Sequence, residues 1–524
     1  MINKQSLTRA LALFFGAVTC FSTLSACGGK NKEGVIPVSL PDYAEDKEIN
    51  ILGYVNPTNG DYTFDKIPMN SGVDYRTVER FQEYKDAGMN VAFSRYDSAL
   101  PAEVTKETWA ESDTKIFCDA AYGAGLDKIL ISDEYFTKLI TWDADMLIGD
   151  GTEYRYKTQE EMDADVAERL AIYNETPGFY GVILLDEPRW KNLPNYGVVH
   201  SSIARVAPDI YIYNNLHYCH KTDAEANIYV DVDAWKAEYG KEPTVKEAYE
   251  SYMDTFFTGT GAKNLAIDIY PFEPDADRRL AILFSNMQTL QRKCAQYGAD
   301  MSWTGQSITY ITGGTFSGRV MTKNDLWLQM NAVLGFGAKS FQYYTYFPYP
   351  SYGSLDTSIG NFIDRNGNKT SVYYDAKSVN DAVHSFDHVL LNYKFKGAKF
   401  YFNSVLQNAS MSAYMGLDTL PFDNSHTHSL LTGITQNNDV VLTTELYDEA
   451  NDLHMYMIMN PIDALFSENG MMLYTENTFT AEFPGYDYVA EFDCGELTYV
   501  KLNNGKYTKT LSSGYGVYLV PLKA

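Results

Sequence analysis

Asp186 and Glu187 stand side by side at the end of the apolar run Phe179-Tyr180-Gly181-Val182-Ile183-Leu184-Leu185, with Pro188, Arg189 and Trp190 behind them. Neighbouring carboxylates tend to raise one another's pKa, so one can stay a proton donor near neutrality. That is the raw material of acid/base catalysis. A run this continuous suits a strand buried on both faces of a parallel sheet. Parallel α/β folds collect their chemistry at the C-terminal ends of such strands. A second run, Leu265-Ala266-Ile267-Asp268-Ile269-Tyr270-Pro271, offers Asp268 and Tyr270 in the same way.

Other strand-like segments end in similar groups. The first offers Tyr54 and Asn56, the second Arg95, Tyr96 and Asp97, and the third Asp133 and Glu134. The fifth offers Asn214, Asn215 and His217, the seventh Trp303 and Gln306, and the eighth Tyr344 and Tyr346. Carboxylates, amides and aromatics on one rim suit a sugar ring: polar groups take its hydroxyls and aromatic rings cover its apolar face. Asp186, Glu187 and Asp268 are the catalytic candidates. Tyr270, Trp190, Asn215, Gln306, Glu134 and Tyr344 are the substrate contacts expected around them.

The elements that must position these groups alternate strand and helix eight times between residues 48 and 395. Glycine closes several of the helices before a short turn into the next apolar run. This pattern predicts a (β/α)₈ TIM barrel. A doubly wound open sheet is the alternative, weakened because no glycine-rich phosphate fingerprint follows the first strand. From 396 to 524 the pattern turns to short period-two runs between Asn, Asp and Gly turns, which predicts an antiparallel β-sandwich.

Bulk properties narrow the partners. The 524 residues exceed one ordinary core, so two domains are expected. A formal charge of −26 argues against nucleic acid as a partner. Lys4 and Arg9, the apolar run Ala10–Val18 and then Leu24-Ser25-Ala26-Cys27 predict a secretory signal over 1–27. Leu24–Cys27 is also similar to the bacterial lipobox, which implies lipidation of Cys27 and a tether over 28–47. An exported protein, anchored at the cell membrane or cell surface through that lipid, is the expectation. The remaining four cysteines are scattered and exclude a dense disulfide scaffold. His217-x-x-His220 lacks the glutamate of a zinc helix, and His426-Thr427-His428 is an isolated pair. The acids Asp143, Asp145 and Asp150 do not match a calcium loop, so neither metal nor cofactor is expected.

Asp186-Glu187-Pro188 after strand four, Asp268-Ile269-Tyr270-Pro271 after strand six and Gly335-Phe336-Gly337-Ala338-Lys339-Ser340-Phe341-Gln342-Tyr343-Tyr344-Thr345-Tyr346 resemble glycoside hydrolases. The likeness is greatest to the barrels of clan A and family-42-like proteins and covers most of Ile49–Leu391. Met459-Asn460-Pro461 and Gly514–Leu519 are similar to the β-domains that trail such barrels. The resemblance implies cleavage of O-glycosidic bonds in oligo- or polysaccharides, with Glu187 as acid/base and Asp186 where an asparagine is usual. It also implies a glutamate after strand seven, where this chain has Gln306. Glutamine cannot form a glycosyl-enzyme ester. Three expectations follow: Asp268 supplies the second carboxylate, or Asp186 and Glu187 work as the dyad of substrate-assisted hexosaminidases, or the barrel is a cell-surface glycan-binding lipoprotein without turnover.

Overall fold

The computed structural model describes residues 37–524 apart from 58–62, 65–66, 69–72, 95–103, 143–146, 150–152, 220–222, 273–275, 313–314, 317–319, 349–357, 365, 404–414, 418, 439, 463–464, 467–471 and 474. Cys27 and the signal segment, Arg95, Tyr96, Asp97, Asp143, Asp145, Asp150 and His220 lie outside the described residues. Among those described, no helix is long and apolar enough to cross a membrane. Cys118, Cys219, Cys294 and Cys494 are free thiols.

The chain is mixed α/β, with two parallel sheets followed by antiparallel ones. The parallel strands are β1 Asn50–Gly53, β2 Ala92–Ser94, β3 Ile129–Ser132, β4 Phe179–Ile183, β5 Tyr211–Tyr213, β6 Asn215–Leu216, β7 Asn264–Asp268, β8 Asp300–Gln306 and β9 Ser340–Tyr344. One sheet runs β2-β3-β4-β5, the other β6-β7-β8-β9-β1. Asn214 separates β5 from β6 and bonds to the chain on either side. Its carbonyl accepts from Ala266 N (2.8 Å), and its Nδ2 donates to Ile212 O (2.9 Å) and Asn264 O (3.2 Å). At the other edge, Asn90 N donates to Ile51 O (3.0 Å), and the Asn90 side chain accepts from Ile51 N (2.8 Å). The fifth predicted strand, Ile210–Asn214, ends at Tyr213 and a further short strand follows Asn214, whose side chain competes for the ladder's own backbone groups.

Helices between the strands begin where a hydroxyl can satisfy their first free amides. Thr77, Ser112 and Thr158 cap α1 Val78–Asp86, α2 Asp113–Gly123 and α3 Gln159–Asn174. Thr244 with Glu247 and Thr322 with Asp325 form capping boxes on α4 Val245–Thr260 and α5 Lys323–Gly335. A short helix Lys106–Ala110 precedes α2 and is separate from it, because the Ser112 side chain accepts from Lys115 N and starts a new helix. Within β4, Gly181 permits the close approach to β5: a Cβ there would lie 1.8 Å from Tyr211 O.

The larger antiparallel sheets begin at β10 Lys394–Phe402. They continue with β11 Gly433–Gln436, β12 Val440–Asp448, β13 Leu453–Met459, β14 Asn477–Glu482, β15 Tyr488–Asp493, β16 Glu496–Lys501, β17 Lys506–Leu511 and β18 Gly516–Leu522. The order is β10-β12-β13-β18-β15-β16 in one sheet and β11-β14-β17 in the other. Alternate residues of both, Tyr456 and Ile458, Val517 and Leu519, Phe479 and Ala481, share one buried apolar cluster. Period-two alternation puts one face of each sheet into that core.

Candidate active site

The C-terminal ends of β4, β6, β7 and β9 bring most of the candidate residues together. Asn215, the first residue of β6, sits between two carboxylates: its Nδ2 lies 2.9 Å from Asp186 Oδ1 and 3.4 Å from Asp268 Oδ1. An amide nitrogen has two protons to give, so one asparagine can serve both acids. Asn215 Oδ1 is buried with no partner among the described residues.

Glu187 has φ of +46°, in the left-handed region that a non-glycine residue adopts at a cost. Its amide donates to Asn215 O at 3.1 Å, and the Tyr252 hydroxyl donates to Pro188 O, so the turn is held from β6 and from α4. The side chain remains 36% exposed and lies 3.1 Å from His217 Nδ1 through Oε1. This places Glu187 where a ligand can reach it.

Asp268 differs. Burial, then the charges of Glu187 and Asp186, push its pKa well above the ordinary carboxylate range, and hydrogen bonds from Tyr270 and Asn215 offset only part of this. Tyr270 stacks on Tyr344 with centroids 4.9 Å apart, and Tyr344 packs against Tyr54 at 5.1 Å. Three strand ends therefore contribute one aromatic wall beside the acids.

Three expected contacts stand apart from this group. Both ends of the buried Gln306 amide are engaged by backbone: Oε1 accepts from Phe272 N and Nε2 donates to Ile308 O, each at 2.8 Å. Gln306 thereby ties the segments after β7 and β8 together. Glu134 starts a short helix and pairs with Lys138 at 3.0 Å, both largely exposed. Trp190 is half-buried in a 3-10 turn. Among the described residues, no hydrogen bond or ring contact joins Glu134 or Trp190 to the acids. Asp133 is internal, ion-paired with buried Arg169 and accepting from the Tyr173 hydroxyl at 2.6 Å.

His217 is a residue to which the motifs gave no part in the acid chemistry. It was visible as the last polar group of the fifth strand end, but only the fold puts its ring on Glu187. At the opposite ends of the strands lies a separate cleft of about 830 Å³, lined by Lys128, Tyr180, Asp300 and Lys339 and holding none of the acids above.

No family model matches the sequence, and no curated protein matches it. The fold has likenesses among solved structures whose names are those of glycoside hydrolases. One is a family 39 glycoside hydrolase from the gut symbiont Bacteroides cellulosilyticus, with 13% identity, 92% of this chain and 83% of that chain covered, and a TM-score of 0.44. Another is a protein described only as a glycoside hydrolase, with 10% identity, coverage of 91% and 93%, and a TM-score of 0.48. A third is the endo-β-1,4-mannanase from Thermotoga petrophila, with 10% identity, coverage of 89% and 98%, and a TM-score of 0.37. At such scores the functional argument rests on the side chains.

Proposed function

We propose that this chain is an exported, lipid-anchored glycoside hydrolase. Its parallel strands would close as a (β/α)₈ barrel over 48–395, with a β-sandwich over 396–524 and an anchor at Cys27. The hydrogen bonds of Asn214 and Asn90 at the two sheet junctions support closure. The observation that carries the activity is the shared amide of Asn215, which gathers Asp186 and Asp268 beside a reachable Glu187.

Glycoside cleavage needs one carboxyl that carries a proton and one that carries charge, on either side of the bond. Asp268 is suited to the first task, because burial and two neighbouring acids raise its pKa well above the ordinary carboxylate range. Glu187, exposed and oriented by His217, is suited to the second, as nucleophile or as base toward water. The motif alone suggests the reverse assignment; the burial of Asp268 argues for this one. Asp186 would position Asn215 or a substrate group. The Tyr270–Tyr344 stack offers a face to the sugar ring.

The experiment is incubation of purified protein with a panel of oligosaccharides, scoring released reducing ends for wild type and Glu187→Gln. Product from wild type alone supports the reading. Tight binding without product, unchanged in Glu187→Gln, replaces it with the non-catalytic glycan-binding lipoprotein. Cleavage confined to 2-acetamido sugars and lost in Asp186→Asn assigns the substrate-assisted mechanism.

A further inference from the structure

The antiparallel domain holds a cluster far from carboxylate chemistry in sequence and type. His426, His428 and Glu445 each present a ligand atom, all within 4.8 Å of one another. His426 Nε2 lies 3.0 Å from Glu445 Oε2, and His428 Nδ1 lies 3.4 Å from the same oxygen. At a tetrahedral centre with bonds of about 2.0–2.2 Å, ligand atoms stand about 3.3 Å apart. The two spacings to Glu445 Oε2 are close to that edge.

The hydrogen-bond network then fixes which lone pairs face inward. The Thr443 hydroxyl donates its one proton to Lys399 O at 3.0 Å. Toward His428 Nε2, 2.6 Å away, it can only accept, so Nε2 carries the ring proton. With the proton on Nε2, Nδ1 turns its lone pair inward; it is buried, without a hydrogen-bond partner, and 3.4 Å from a carboxylate oxygen. A cation between them would take both, and their 3.4 Å separation is nearer a ligand-to-ligand spacing than a short charge-assisted hydrogen bond. An imidazole that gives its outer N–H to a protein acceptor while its inner nitrogen faces the site is the usual arrangement at metal centres.

The surroundings hold the set in place. The His426 ring packs directly over Gly397, where a Cβ would lie 2.2 Å from its Nδ1, at an irregularity in the pairing of β10 with β12. Glu445 is fully buried, and its other oxygen is held by His454 Nδ1 at 2.7 Å and the Tyr456 hydroxyl at 2.9 Å. We propose that His426 Nε2, His428 Nδ1 and Glu445 Oε2 bind one divalent transition-metal ion of the zinc class. Two imidazoles and one carboxylate select such an ion over calcium or magnesium, which take oxygen ligands.

The test is titration of the chelator-treated full-length chain with Zn²⁺ by calorimetry, and with Co²⁺ by its visible d–d absorption. One ion per chain is expected, with a raised melting temperature and no displacement by excess Ca²⁺ or Mg²⁺. His426→Gln, whose side chain is only partly buried, and His428→Gln should each weaken binding by more than the roughly 10- to 100-fold that loss of an outer-shell partner costs. Absence of stoichiometric uptake by wild type with native circular dichroism overturns the proposal. So does unchanged affinity in a folded His426→Gln, or competition by Ca²⁺ on equal terms.

Discussion

Asp186 and Asp268, 82 residues apart in the chain, share one proton donor: Asn215 Nδ2 lies 2.9 Å from the first and 3.4 Å from the second. The two oxygens are thus no farther apart than those distances combined. Burial and the charges of Glu187 and Asp186 push the pKa of Asp268 well above the ordinary carboxylate range. Glu187, tied to the same asparagine through its backbone, stays partly exposed, so the rim separates a carboxyl of raised pKa from a reachable one.

That separation predicts how variants respond to leaving-group quality. Protonation of the leaving oxygen matters little when the leaving group is already a weak base. Asp268→Asn should therefore lose about 10²–10⁴-fold in kcat/KM on natural oligosaccharides. On an aryl glycoside bearing a nitrophenol it should lose far less. Glu187→Gln should lose activity on both. Steady-state kinetics on the two substrates settles the roles, and the opposite pattern would return the acid to Glu187.

Tyr270 gives a pH test of the same assignment. Its hydroxyl bonds to the charged form of Asp268 and lowers a pKa that burial and neighbouring charge raise. With Asp268 as the proton donor, kcat/KM should fall as pH rises through that pKa. Removing the hydroxyl in Tyr270→Phe, while keeping the ring on Tyr344, should raise the pKa further and move the alkaline limb to higher pH. A limb that stays in place or moves down contradicts the role given to Asp268.

Much of this was legible in the chain before folding. Apolar runs ending in carboxylates mark Asp186, Glu187 and Asp268, because strand burial and strand termination are both local properties of sequence. The partners that give those acids different roles come from other elements. Asn215 and His217 act on Asp186 and Glu187 only because β6 lies next to β4's end, and no local pattern states that adjacency. Gln306 shows the converse. It occupies a strand end as expected, yet its amide is engaged by two backbone groups supplied by separate segments. The Glu445 cluster was also hidden, since His426 and His428 meet it only through pairing of loop and sheet.

Asp133 looks like a rim acid in sequence but is a structural one. Its carboxylate is fully buried against Arg169, with the Tyr173 hydroxyl on the same group and the Arg169 guanidinium 4.5 Å over the Tyr135 ring. Asp133→Asn leaves a buried guanidinium without its counter-ion, which costs about 3–5 kcal/mol. Urea unfolding should show that loss, while kcat and KM per folded molecule stay near wild type. A selective rise in KM with unchanged stability would instead place Asp133 on the substrate.

His384 should make stability depend on pH. Its Nδ1 lies 2.9 Å from Asp387 Oδ2 and its Nε2 2.9 Å from Gly88 O, two acceptors that only a doubly protonated ring satisfies. Burial opposes the charge, but the Asp387 and Gly88 bonds outweigh it, and the pKa lies above the ordinary value near 6.5. A histidine whose folded pKa exceeds its unfolded one stabilises fully below about pH 6.5, and the contribution is lost as pH rises through the folded value. The stability gap between wild type and His384→Gln should therefore be widest in mild acid and shrink toward alkaline pH. Asp387 Oδ2 also accepts from Ile49 N at 3.0 Å, so the effect should reach the edge of β1 and appear as faster amide exchange there in the variant. A gap that widens with rising pH would mean that His384 is held neutral.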